Sequence, residues 1–145
     1  MIAIKNEADM TKLAQTLATS CQTGHCFALH GDLGAGKSFL ARAIMRALGV
    51  TDEALPSPTF AIIQEYDAAQ GETNSALKIA HMDWYRLEDE HDVANLGVDE
   101  YFSAPWISLI EWSERAPALL PSNTIHIYIN LVADDMNARL VKINP

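Results

Sequence analysis

Gly31-Asp32-Leu33-Gly34-Ala35-Gly36-Lys37-Ser38 decides the reading of this chain. The stretch fits G-x-x-x-x-G-K-[ST], the pattern of a loop that wraps phosphate. Just before it, Cys26-Phe27-Ala28-Leu29 is a short apolar run and a buried-strand candidate. Just after it, Phe39, Leu40, Ala43, Ile44, Ala47 and Leu48 recur at helical spacing until Gly49 supplies a stop. Strand, glycine loop and helix in that order turn a text match into a structural expectation.

The residue types follow from the chemistry. Glycines let the backbone close around phosphate oxygens, so that the N–H groups of Leu33, Gly34, Ala35 and Gly36 can point inward. A helix starting near Gly36 adds the positive end of its dipole. Lys37 is expected at the β- and γ-phosphates and the Ser38 hydroxyl on Mg²⁺. Such a match rarely arises by chance in a chain with 7 glycines, so nucleotide binding outweighs a glycine-rich turn of no function.

Working outward, 145 residues fit one domain, residues 1–145, large enough to bury its own core. No run of 18 apolar residues occurs, and the N-terminal stretch with Glu7 and Asp9 lacks the apolar segment of a signal peptide. A cytoplasmic protein with no membrane contact is the expectation. Cys21 and Cys26 flank a histidine, but further ligands at metal spacing are missing, so free thiols are expected. The net charge is −9, and six acids between Glu88 and Glu100 stand without a lysine or arginine among them. That surface argues against tight, direct nucleic-acid binding. It is either a solvated face or a docking face for a basic partner.

Residues 7–19 read as a helix with Met10, Leu13, Ala14 and Leu17 on one stripe and Asn6 as its cap. Pro56 and Pro58 make residues 50–58 a loop. Residues 59–66 and 77–85 read as a hairpin, 88–102 as a short helix with a turn at Gly97, and 106–110 as a strand ending in Glu111-Trp112. Residues 124–132 and 138–143 read as a second hairpin around 133–137. The sum is an α/β chain rich in hairpins.

A phosphate loop does not name a reaction. The loop at 31–38, then Ser57-Pro58-Thr59-Phe60, then His81-Met82-Asp83-Trp84-Tyr85-Arg86-Leu87, then Ile110-Glu111-Trp112 together resemble the TsaE family, also called YjeE, over about residues 7 to 143. The resemblance implies a P-loop NTPase fold: a three-layer sandwich around a mixed, mainly parallel sheet with β-hairpins. It implies a Mg²⁺-dependent ATPase needed for threonylcarbamoyladenosine formation in tRNA. Such an enzyme resets or regulates a complex of TsaD and TsaB, which would grip the tRNA in its place.

Under that resemblance Lys37, Asp83 and Glu111 do the catalytic work. Glu111 ends an apolar strand as a metal-holding acid does, and would share Mg²⁺ with Ser38. Asp83 would polarise water or fix the metal's hydration shell. His81, Asp83 and Tyr85 alternate and so should share one strand face; His81 and Tyr85 suit a structural hydrogen-bond cluster equally well. Arg86 suits a phosphate, a partner or a surface ion pair. Thr59 lies in a switch-like loop that would sense the γ-phosphate, and Thr11 lies in a helix that approaches the base. Two departures from the family stand out. Serine replaces the usual threonine at 38, which keeps the hydroxyl. Basic residues near the last hairpin turn are reduced to Arg139, so whether that hairpin contacts nucleotide stays open.

A small-molecule kinase is the alternative. It usually needs a lid with several arginines, and the five here (Arg42, Arg46, Arg86, Arg115, Arg139) are scattered. An Asn-Lys-x-Asp motif, expected of a GTPase, is absent from the sequence.

Overall fold

The computed structural model describes residues 1–68 and 77–144. Its strands are β1 (Ile2–Ile4), β2 (Cys26–His30), β3 (Ile63–Ala68), β4 (Leu77–Asp83), β5 (Trp106–Glu111), β6 (Ile125–Val132) and β7 (Asp135–Asn144). Its α-helices are α1 (Glu7–Thr19), α2 (Lys37–Ala47) and α3 (Glu90–Ala94), joined by 3-10 turns at Val98–Phe102, Ser113–Arg115 and Pro117–Leu119. The strands form one sheet in the order β1-β7-β6-β2-β5-β4-β3. Its four central strands, β6, β2, β5 and β4, run parallel to one another, while β1, β7 and β3 add antiparallel flanks.

Burial explains the centre. A parallel strand covered on both faces reads as a continuous apolar run, and β2 does. Phe27 and Leu29 face one core with Leu13, Leu40, Ile44 and Ile127. Cys26 faces a second core with Met82, Trp84, Val93, Tyr101 and Ile110. The first core lies under α1 and α2, the second under α3 and the 3-10 turns, which gives three layers. α1 begins where expected, with the Asn6 side chain accepting the Asp9 N–H at 2.9 Å and Glu7 and Asp9 in the first turn.

Several expectations are corrected. β3 starts at Ile63, because residues 59–61 form a turn in which Pro58 accepts the Ile62 N–H at 2.7 Å and Ile62 takes φ 69°. β4 stops at Asp83, whose carboxylate accepts the Tyr85 N–H at 2.9 Å and turns the chain. Tyr85 therefore leaves the strand, and the shared face is His81 and Asp83 alone. The last hairpin closes more tightly than 133–137, since β7 already begins at Asp135 and Asp134 sits at φ 68°. β1 was not foreseen: three residues are too few to show a period, and they form a strand by pairing with Leu140, Arg139 and Val141 of β7. β3 and β4 pair antiparallel as expected; part of their expected connecting loop lies outside the described residues.

Candidate nucleotide-binding site

The loop at 31–38 leaves the carboxyl end of β2, at the centre of the parallel strands, where open α/β sheets bind ligands. Glycine is required here for two separate reasons. A Cβ on Gly31 would lie 2.7 Å from the Ile129 carbonyl oxygen, so only glycine lets the loop pass β6. Gly36 caps α2 at φ 114°, a conformation that side chains rarely adopt. With glycine at the cap and no acid in the first turn, no side chain consumes the first amides of α2 or neutralises its positive end. That end is built for an anion.

Lys37 is 6% exposed, and its ammonium donates to the Gly31 carbonyl at 2.7 Å while lying 3.7 Å from the centre of the Trp112 ring. Burial pulls its pKa below the usual lysine range, while Glu111, Glu114, Asp83 and Asp32 pull it back up. It is a cation held among carboxylates at the mouth of a phosphate loop.

The β4–β5 register brings Asp83 beside Glu111, and both are buried. The Ser38 hydroxyl lies 3.0 and 2.9 Å from the two Glu111 carboxylate oxygens. His81 Nε2 lies 2.7 Å from one of them, and His81 Nδ1 is buried with no protein partner among the described residues. The Thr59 hydroxyl donates to the second oxygen of Asp83 at 3.2 Å and shares a 3.0 Å bond with the Ser57 hydroxyl. Buried carboxylates are costly unless paired or bound to a metal. An all-oxygen set of one hydroxyl and nearby carboxylates suits Mg²⁺, which keeps several waters and takes few protein ligands.

These groups share a cavity of about 450 Å³ with Leu33, Gly34 and Gly36. Lys37, Ser38, Thr59, Asp83 and Glu111 all line it. Two expected residues stand apart. Ala35 is buried and faces the neighbouring cavity between α1 and the last hairpin. Thr11 lines a groove between α1 and α2, with its hydroxyl donating to the Glu7 carbonyl at 3.0 Å. Phe39 borders all three spaces and so connects them.

Sequence reasoning missed one contributor and left two open. Trp112 at φ 61° turns its ring onto Lys37, and nothing in the residue pattern signals that. Arg139 reaches the loop from the last hairpin. His81 joins Glu111 as the polar-face pattern allowed. Arg86 lies over the exposed Phe60 ring at 4.1 Å. Cys21 and Cys26 are free, burial pushing the first thiol up to about 12 and raising the second as well. No helix among the described residues is long and apolar enough to cross a membrane.

Comparison with known proteins bears on the family and the fold. The family model described as "Threonylcarbamoyl adenosine biosynthesis protein TsaE" matches residues 4–141. The tRNA threonylcarbamoyladenosine biosynthesis protein TsaE of Bacillus subtilis is 36% identical over 130 residues, 90% of this chain and 77% of that protein. Its counterpart of the same name in Rickettsia conorii is 38% identical over 143 residues, 99% of this chain and 77% of that protein. The crystal structure of Bacillus subtilis YdiB superposes with a TM-score of 0.76 at 30% identity, covering 98% of this chain and 82% of that one.

Proposed function

This chain belongs to the TsaE family of threonylcarbamoyladenosine biosynthesis proteins, and from that premise we propose that it is a Mg²⁺-dependent ATPase in this tRNA modification. The observation that carries the reading is Ser38 set between both oxygens of Glu111, with Lys37 in the same cavity. A hydroxyl, an acid and a lysine so placed are the parts that hold a metal and the phosphates it bridges in P-loop hydrolases.

On this reading residues 1–145 act as one ATPase domain. The amides of Leu33, Gly34, Ala35 and Gly36 and the end of α2 bind the phosphates, and Lys37 exchanges its Gly31 carbonyl for the β- and γ-phosphate oxygens. Ser38 and Glu111 hold Mg²⁺, which neutralises charge on the phosphates when bound. His81 fixes the orientation of Glu111 through their 2.7 Å bond. Asp83 orients water at the γ-phosphate. Thr59 ties the loop at 57–60 to Asp83, so that loop senses whether a γ-phosphate is present. The base lies toward α1, where Phe39 connects the phosphate cavity with the Thr11 groove.

Hydrolysis serves a partner complex of TsaD and TsaB. A chain of net charge −9 is poorly suited to grip tRNA itself, so its contact with tRNA runs through those subunits. The test is ATP hydrolysis by the purified protein with Mg²⁺, alone and with TsaD and TsaB, against Lys37→Ala. Turnover that rises with the partners and vanishes in the variant is the expected result. Turnover indifferent to the partners sinks the coupling, and phosphate delivered to a small acceptor makes the protein a kinase.

A further inference from the structure

We propose that Arg139 is a positioning residue for the phosphate loop, holding its outer carbonyls so that its amides face the anion; this rests on the nucleotide-binding reading above. Arg139 stands on β7, its backbone in register with Ile4 on one side and Leu131 on the other. Its Nε–H donates to the Ala35 carbonyl at 2.8 Å, and Nη2 donates to the Gly34 carbonyl at 3.4 Å. Nη1 donates back to its own hairpin, to the Met136 and Ala138 carbonyls at 2.8 Å each. The guanidinium thus clamps the loop to the hairpin through four backbone carbonyls. Most of its N–H groups are occupied, which suits a brace rather than a phosphate ligand.

The direction of these bonds matters. In a trans peptide the carbonyl and the following N–H point opposite ways. Fixing the Ala35 carbonyl on Arg139 therefore turns the Gly36 N–H to the far side of the loop, and Gly36 lines the phosphate cavity. The Ala35 N–H donates to the Asp32 carbonyl and the Gly36 carbonyl accepts from the Leu40 N–H, both at 2.9 Å, so it is the Gly34 and Ala35 carbonyls that depend on Arg139. A Cβ at Gly34 would meet nothing within 4 Å, and one at Gly36 would meet only the tip of Met10 at 3.9 Å. A glycine at φ 114° also tolerates rotation of the preceding peptide plane, which would aim a carbonyl where an amide is needed. Arg139 opposes that rotation. A lysine could hold one carbonyl as a point charge but could not fork across two and the hairpin.

The experiment compares the wild type with Arg139→Ala and Arg139→Lys. Calorimetric titration with Mg·ADP should show affinity weaker by about tenfold or more in the alanine variant, and by less in the lysine variant. The turnover number at saturating ATP should change by less than about threefold, because phosphate capture is affected and chemistry is not. The Gly36 amide resonance of the free protein should broaden through exchange in Arg139→Ala, with the free protein's melting temperature within about 2 °C of wild type. ADP affinity within about twofold of wild type in Arg139→Ala overturns the proposal. So does a loss equal in both variants and matched by a fall in melting temperature, since that marks a general role in the fold. If the wild type binds no ADP, the nucleotide reading fails separately, and an unbroadened Gly36 amide then overturns the brace.

Discussion

Two polar clusters cap the parallel strands, and they are built on opposite plans. At the ends of β4 and β5, the buried Asp83 and Glu111 open onto a cavity with Lys37 and Ser38, and the buried His81 bonds Glu111. At the end of β2, His30 bonds Glu114 at 3.1 Å and His126 of the adjacent β6 at 2.9 Å, and its ring stacks on Tyr128 at 4.5 Å. The second cluster is half exposed and its side chains bond one another, with Glu114 also acting on Lys37 across the gap. In the first, two buried carboxylates face one lysine that already leans on a carbonyl and a ring, which leaves an unmet demand for cations. The difference separates a candidate binding site from a surface network: its polar groups are left poised for a partner.

The sharpest way to break this comparison is Lys37→Ala. It should lower ATP turnover by about a thousandfold in a steady-state assay while far-UV circular dichroism stays unchanged. A paired substitution tests the contrast directly. Glu111→Gln should cost about a hundredfold in turnover, whereas Glu114→Gln, on the second cluster, should stay within about threefold. Equal losses would erase the distinction. His81→Asn should fall between, with about a tenfold rise in the Mg²⁺ concentration needed for half-maximal rate.

The smallest effect belongs to pH. The His30 hydrogen bond holds the Glu114 carboxyl below its ordinary value of 4.5, against the effect of burial. The stability linked to it is therefore present above that value and is lost as pH falls through the lowered one. In urea melts, the stability gap between wild type and His30→Gln should narrow as pH drops below about 4.5. A gap that widens there would assign the pair another role.

How much of this was legible in sequence depended on distance along the chain. The loop at 31–38 was readable because its chemistry is local: glycine, lysine and serine at fixed spacing ahead of a helix. Glu111 was readable because an apolar strand that ends in an acid is itself a local pattern. The His81–Glu111 bond spans 30 residues and exists only because β4 pairs with β5. Tyr85 was misplaced because Asp83 takes a backbone amide and ends the strand two residues early. Trp112 and Arg139 had no local signature, since one depends on a left-handed backbone and the other on contact across 104 residues. β1 depends wholly on its neighbour.

The sheet order carries a consequence for how the protein is made. β2 leaves the ribosome early, yet both of its sheet neighbours, β5 and β6, come about eighty residues or more behind it. The serine and the glutamate that meet in the cavity are 73 positions apart. A nascent chain halted before Glu111 carries the glycine loop and Asp83 but lacks the acid that meets Ser38, so the Ser38–Glu111 pair cannot template the early stages of folding. Contacts this remote in sequence slow the search for the native state, and a truncated product should be unable to sequester ATP.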